Sequence, residues 1–327
     1  MRIFAYEVRP DEREALTACA VKNGAELMMS AEVPSLKNAD LAKGCDGVTI
    51  LGQGRISGAL LDAWHAMGVN YIATRTIGFN HIDIEHAKAL GMHVCAAAYA
   101  PNGVADFTVM LMLMSLRNYK QALWRGQVND FSLGGLQGRE LKDLTVGIMG
   151  TGRIGLQVMR NLSGFGCRML CYDVRVNPAA EEYGTYTDMD TLLRESDIIT
   201  LHMPLLESTY HIINDDTLAK MKDGVVLINC ARGELTDIHT LVKGIETEKI
   251  GALGVDTLEG DESIIHADHR VDILANRDWF YLRQFRNVVM TQHMAFYTDA
   301  AVKSMATCGI EGLCRMREEH AYKTMIV

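Results

Sequence analysis

Three apolar, strand-like runs in this sequence end in residues able to grip a carboxylate or move a proton. The first, 225–228, runs into Asn229-Cys230-Ala231-Arg232-Gly233. An arginine at the carboxyl end of a strand can hold a carboxylate through two parallel hydrogen bonds. The second ends in Gly254-Val255-Asp256-Thr257-Leu258-Glu259-Gly260-Asp261-Glu262, a concentration of carboxylates at a strand end. The third passes through Thr291 and Gln292 to His293, the residue type best suited to exchange a proton near neutral pH. Taken singly, each has a plainer reading: a surface arginine, a solvated acidic loop, a satisfied core histidine. Together they fall beyond the carboxyl ends of strands, where open α/β sheets place their ligands.

A fourth segment supplies a partner for that chemistry. Val146-Gly147-Ile148-Met149-Gly150-Thr151-Gly152-Arg153-Ile154-Gly155 sets G-x-G-x-x-G between an expected strand and an expected helix. Gly150 permits a tight turn, Gly152 lets the backbone approach a pyrophosphate, and Gly155 lets the helix pack closely on the strand. The helix N-terminus offers free N–H groups and a favourable dipole. The next strand ends at Asp173, 18 residues after Gly155, near the spacing of about 20 for a carboxylate that holds ribose hydroxyls. Asp173 repels a 2′-phosphate, so NAD is the expected cofactor. Arg175 is the neighbour that would favour NADP.

These segments need a scaffold, and the hydrophobic pattern describes one. Strands are expected over 3–8, 48–51, 71–74 and 94–96, with helices over 11–23, 57–67 and 82–90. This βαβα rhythm implies a parallel sheet covered by helices. A long apolar helix is expected over 102–121, with Pro101 in its first turn, then a glycine-rich stretch at 129–139 outside regular structure. A second series has strands over 145–149, 167–172, 198–202, 225–229, 252–255 and 287–291. Its helices fall at 153–162, 188–194, 215–221 and 237–245, with a closing helix at 300–317. Residues 258–286 read as irregular. The expected fold is α/β, two doubly wound parallel-sheet domains. A Rossmann nucleotide domain (100–297) is inserted into a flavodoxin-like substrate domain (1–99 with 298–327).

Composition agrees and narrows the function. The chain has 327 residues, 48% apolar and 22% charged, with a net charge of −9. That is enough for two domains of ordinary globular character. The acidic balance and lack of a basic cluster argue against nucleic acid. The longest apolar stretch, 104–116, is interrupted by Asp106 and too short to span a membrane. Eight cysteines without a C-x-x-C pair, and no signal-peptide pattern, suit reduced thiols and a cytoplasmic location. No metal is expected: His266-x-x-His269 lies in an irregular acidic stretch without further ligands at suitable spacing.

The chain resembles the D-isomer-specific 2-hydroxyacid dehydrogenase family, in its D-lactate dehydrogenase-like branch. Within that branch it is close to the vancomycin-resistance D-lactate dehydrogenases and to the phenyllactate and 2-hydroxyisocaproate dehydrogenases. The resemblance spans essentially the whole chain. It is carried by RTIGFNHID at 75–83, AYAPNGVAD at 98–106, GTGRIG at 150–155, NCARGEL at 229–235, DTLEGDE at 256–262 and TQHMAFYTDAA at 291–301. It implies reduction of a 2-oxo acid to the (R)-2-hydroxy acid. Arg232 would bind the substrate carboxylate, helped by the N–H groups of Ile77 and Gly78, and His293 would be the proton donor. It adds Arg153, Ile154, Met203, Pro204, Thr209, Cys230, Ala231 and Asp256 to the cofactor contacts, beside the glycines and Asp173. The family usually carries Glu five residues after the aspartate at this strand end. Here that position is Asp261, followed by Glu262. Asp261 is the expected partner of His293, with Glu262 as the alternative. The side-chain pocket falls to Leu51, Tyr99, Met294, Phe296 and Tyr297. Its apolar lining suits pyruvate, phenylpyruvate or a branched 2-oxo acid and argues against a second carboxylate. A homodimer is implied; the helix over 102–121 is either a natural interface element or, equally, one buried within a single subunit. The alternative on this fold is an NAD-binding, corepressor-like member without turnover.

Overall fold

The computed structural model describes the backbone of residues 1–327 and every side chain but that at position 263. The first elements are β1 (Arg2–Ala5), α1 (Arg13–Lys22), β2 (Glu26–Met29), β3 (Gly47–Ile50), α2 (Gly58–Ala66), β4 (Tyr71–Thr74), α3 (Ile84–Ala89) and β5 (His93–Ala96). Next come α4 (Asn102–Leu116), α5 (Tyr119–Gln127), β6 (Thr145–Met149), α6 (Arg153–Ser163), β7 (Arg168–Tyr172), β8 (Thr185–Tyr186), α7 (Met189–Glu195) and β9 (Ile198–Leu201). The chain continues with α8 (Asp215–Lys220), β10 (Val225–Asn229), α9 (Ile238–Glu246), β11 (Ile250–Val255), α10 (Arg277–Gln284) and β12 (Val288–Met290), and closes with α11 (Asp299–Glu319). It divides into two compact units, Met1–Ala100 with Tyr297–Val327, and Pro101–Phe296. Among the described residues no helix is long and apolar enough to cross a membrane.

Each unit holds one all-parallel sheet. The smaller has strand order β2-β1-β3-β4-β5, the larger β12-β11-β10-β9-β6-β7-β8. Central strands such as β3 and β10 are buried along their whole length, which is why they read as unbroken apolar runs rather than alternating ones. Both orders are doubly wound, and the order reverses between β1 and β3 in one sheet and between β6 and β9 in the other. In the smaller unit, Leu60, Leu61 and Trp64 of α2 pack on one face of the sheet. Leu16 of α1 and Ile310, Leu313 and Met316 of α11 pack on the other. After α11 the chain pairs along β5, with Val94 donating to the Val327 carbonyl and Ile326 donating back to Val94. That segment covers a sheet edge that would otherwise be open.

The two-domain α/β fold is the one the pattern implied, with four local differences. The helix expected over 102–121 is two helices. Asn118 adopts a left-handed conformation (φ 51) and ends the first. α10 lies inside the stretch read as irregular, started by the Asn276 side chain accepting the Trp279 N–H. Strands β2 and β8 carried no strong periodicity. β2 is an edge strand with no fully buried residue, and β8 has two residues.

A buried ion pair stands at the head of the smaller sheet. Arg75 and Glu12 have fully buried side chains 3.0 Å apart. Arg75 also donates to the carbonyls of Tyr6 and Glu7 and to the Thr49 hydroxyl. Replacing Arg75 by Met should destabilise the protein by about 3–5 kcal/mol, because Glu12 is left charged and buried. Denaturant unfolding checks this; a loss below about 1 kcal/mol would contradict it.

Candidate active site

The glycine turn after β6 has the geometry of a phosphate cradle. Gly150 sits at φ 98, and a Cβ there would meet the backbone of His202 at 2.7–2.8 Å. A Cβ on Gly155 would fall 2.0 Å from the Gly150 carbonyl oxygen. Gly152 differs. Its φ is −66, and a Cβ there meets nothing within 4 Å. Gly150 and Gly155 are therefore required by the protein's own packing. Gly152 keeps open space in front of the N-terminus of α6, where Arg153 and Ile154 open the helix. That fits a dinucleotide pyrophosphate drawn to the positive end of the helix.

Asp173 follows β7. Its Oδ2 accepts the Thr151 N–H at 2.6 Å and the Thr151 hydroxyl at 3.2 Å, so it is fixed beside the glycine turn. Arg175 is exposed, and its own N–H bonds Asp173 Oδ1. After β9, Met203 and Pro204 enter a turn closed by Thr209, whose hydroxyl donates to the Pro204 carbonyl at 2.7 Å. His202 bonds Thr200 through Nε2 at 3.0 Å, and burial pushes its pKa down to about 3, so it stays neutral. Burial pushes the Cys230 thiol up, with Asp256 adding to the effect.

The three chemical segments come together through Asp256. This aspartate is buried at the end of β11, and its N–H bonds the Asn229 carbonyl at the end of β10. Its Oδ1 accepts the Thr291 hydroxyl at 2.5 Å and the Met294 N–H at 2.9 Å, and its Oδ2 accepts the Ala295 N–H at 2.8 Å. The turn between these anchors holds His293 at φ 55. Nδ1 of His293 is buried, 3.7 Å from Asp261 Oδ2, and makes no hydrogen bond among the described residues. Asp261 is 9% exposed and accepts the Leu258 N–H, whereas Glu262 is exposed. Arg232 follows β10, half-buried, its guanidinium donating to the Ala231 carbonyl at 2.7 Å. A Cβ on Gly233 would meet the Leu258 backbone at 2.3 Å, so that glycine lets the arginine segment lie against the acidic loop.

In the smaller unit, Leu51 follows β3 and is buried, while Ile77 is partly exposed on the segment after β4. Tyr297 lies under the Arg9 guanidinium, 5.1 Å from ring centroid to Cζ, and its hydroxyl bonds Asp11, which raises its pKa. The sequence reading did not single out Arg9 or Asp11. It also missed His266 as a support: Nε2 of His266 bonds the His293 carbonyl at 3.0 Å. His269 pairs separately with Asp272 at 2.7 Å, so the two histidines go to different partners.

Gly152→Ala separates fold from binding. The backbone tolerates the methyl group and nothing in the protein meets it, so the unfolding midpoint should stay unchanged. NADH affinity, read by fluorescence titration, should fall at least tenfold, or about 1.4 kcal/mol. Unchanged affinity would show that no phosphate approaches there.

Known proteins resemble this chain over nearly its whole length. Residues 109–295 match the family described as D-isomer specific 2-hydroxyacid dehydrogenase, NAD binding domain. The chain is 43% identical to an aromatic 2-oxoacid reductase of Clostridium sporogenes over 93% of both chains. It is 37% identical to a D-specific alpha-keto acid dehydrogenase of Enterococcus faecium, covering 97% of this chain and 98% of the other. Among solved structures it resembles the NAD-complexed D-isomer specific 2-hydroxyacid dehydrogenase of Lactobacillus delbrueckii, with a TM-score of 0.85, 32% identity and full coverage of both chains. The chain therefore belongs to the D-isomer specific 2-hydroxyacid dehydrogenase family, as an oxidoreductase whose cofactor is NAD.

Proposed function

We propose that the protein reduces a 2-oxo acid with an apolar or aromatic side chain to the (R)-2-hydroxy acid. The observation that carries this is His293, set in a turn held by Asp256 with its Nδ1 3.7 Å from Asp261. Arg232 grips the substrate carboxylate, and the N–H groups of Ile77 and Gly78 add to that grip. NADH, when bound, supplies hydride to the substrate's C2. His293 gives its proton to the carbonyl oxygen, and Asp261 orients the imidazole through Nδ1. In the reverse direction His293 takes the proton back. Gly150, Gly152, Arg153, Ile154, Gly155, Asp173, Met203, Pro204, Thr209, Cys230, Ala231 and Asp256 hold the cofactor.

The substrate side chain is received by Leu51, Tyr99, Met294, Phe296 and Tyr297. The apolar character of these residues and the likeness to an aromatic 2-oxoacid reductase support phenylpyruvate beside pyruvate. An apolar pocket discriminates by only about 1–3 kcal/mol per methylene, so a broad range of 2-oxo acids fits. The eight unpaired, buried thiols suit a reducing cytoplasm. A homodimer is supported by Trp124, Val128, Phe131 and Leu133, large apolar side chains exposed on α5 and just after it. Most of α4 is buried within the chain, the second of the two places open to the helix over 102–121.

Three experiments test these readings. A panel of pyruvate, phenylpyruvate, 2-oxoisocaproate and 2-oxoglutarate, followed by NADH absorbance, should show turnover with the first three and little with the fourth. His293→Ala should lower kcat by about 10²–10⁴, and Asp261→Asn should lower it too. Asp261→Glu should restore reach across the 3.7 Å gap and keep or raise turnover. No oxidation with any acid would remove the enzymatic reading, and an inert Asp261→Asn the partner assignment. Light scattering should return about twice the 36.2 kDa chain mass; a monomeric mass refutes the dimer.

A further inference from the structure

The smaller unit carries a carboxylate that the proposed chemistry leaves unused. Glu7 follows β1, is 2% exposed, and adopts left-handed backbone at φ 56. Its side chain accepts four successive backbone N–H groups from the segment after β3. Oε2 takes those of Leu51 and Gly52, the latter at 2.8 Å. Oε1 takes those of Gln53 and Gly54 at 2.8 and 3.0 Å. Strand order reverses between β1 and β3, the place where such sheets receive ligands, and a run of converging N–H groups is an anion cradle. Here the protein's own carboxylate fills the cradle. Both sides of the arrangement are braced. Arg75 donates to the carbonyls of Tyr6 and Glu7, holding the backbone from which the carboxylate reaches. Gly52, at φ 89, lies so close to the His81 ring that a Cβ would meet it at 2.9 Å.

We propose that Glu7 is a positioning residue for substrate choice. Its carboxylate holds residues 51–54 in one conformation, fixes how far Leu51 reaches, and so sets which 2-oxo acid side chains are accepted. This rests on the assignment of Leu51 to the side-chain pocket. Hydrogen bonds to an ionised acceptor are the strong ones, and four of them converge here. Without that acceptor, four N–H groups are left facing inward, and the loop must open to reach water. An amide in place of the carboxylate turns an N–H₂ group toward two of the donors. The Leu51 side chain then moves while Arg232 and His293, on other segments, stay as they are. The effect falls on KM for large side chains more than on kcat.

The test uses Glu7→Gln, which keeps the side-chain volume, and Glu7→Asp, which keeps the charge, beside Leu51→Ala. Amide hydrogen exchange of 51–54 is read directly, and steady-state kinetics are run with pyruvate and phenylpyruvate. In Glu7→Gln the four amides should exchange at least about tenfold faster. The kcat/KM ratio of phenylpyruvate to pyruvate should shift at least about fivefold through KM, with Glu7→Asp in between, and NADH affinity should be unchanged. Unaltered exchange would overturn the clamp, whatever the kinetics show. Faster exchange with an unaltered ratio, while Leu51→Ala does shift it, would overturn the role in substrate choice and leave the pocket assignment standing. If Leu51→Ala also leaves the ratio unaltered, the pocket assignment fails and the role of Glu7 in substrate choice fails with it.

Discussion

The reactive end of the larger unit depends on one buried carboxylate. Asp256 binds a hydroxyl and two N–H groups of the segment after β12, and its own N–H is held by the end of β10. The turn so formed keeps His293 in a left-handed conformation that costs a non-glycine residue about 1–2 kcal/mol. Each hydrogen bond to an ionised group contributes about 1.5–3 kcal/mol, so three of them outweigh that strain. The backbone that carries the histidine is thus fixed from a neighbouring strand. The arginine segment is joined to the same frame through Asn229, whose side chain binds the Ala231 N–H and the Arg232 carbonyl.

The two sheets use the same topological position in opposite ways. In the larger, the turn at the reversal point is left open by Gly152, in front of the N-terminus of α6. In the smaller, N–H groups on the other side of the reversal point, after β3, are already satisfied by Glu7. A chain with a net charge of −9 can therefore take up an anionic cofactor only where local donors outweigh its overall field. One sheet leaves its turn open while the other fills its own with a carboxylate.

Much of this was legible in the sequence because its signals are local. The glycine turn, the acidic residue after β7 and the chemical residues at three strand ends all lie within a few positions of a recognisable apolar run. What stayed hidden depended on distant partners or on weak periodicity. α10, whose turns mix Trp279, Phe280 and Leu282 with charged residues, lacks a clean apolar stripe, and its clearest mark is the capping Asn276. The break at Asn118 is a conformational choice of one residue, at the point where the apolar run gives way to Arg117, Tyr119 and Lys120. Glu7 reads as an ordinary surface acid, and only the fold brings it to amides more than forty positions away. The fully buried Arg75 likewise carries no local sign that Glu12 will meet it.

The insertion of one unit into the other also orders events during synthesis. The larger unit is continuous in sequence, so it has all of its strands once residue 296 is made. The smaller has its five strands within the first hundred residues, yet the helix that covers one face, α11, comes last. Until Ile310, Leu313 and Met316 emerge, Ile3, Ala5 and Ala73 have no apolar cover from that helix. Loop-closure cost rises only logarithmically with length, so the long detour weakens the finished unit little. Its consequence is kinetic: a nascent chain carries a half-covered sheet throughout the making of the larger unit, the stage at which such chains most readily aggregate.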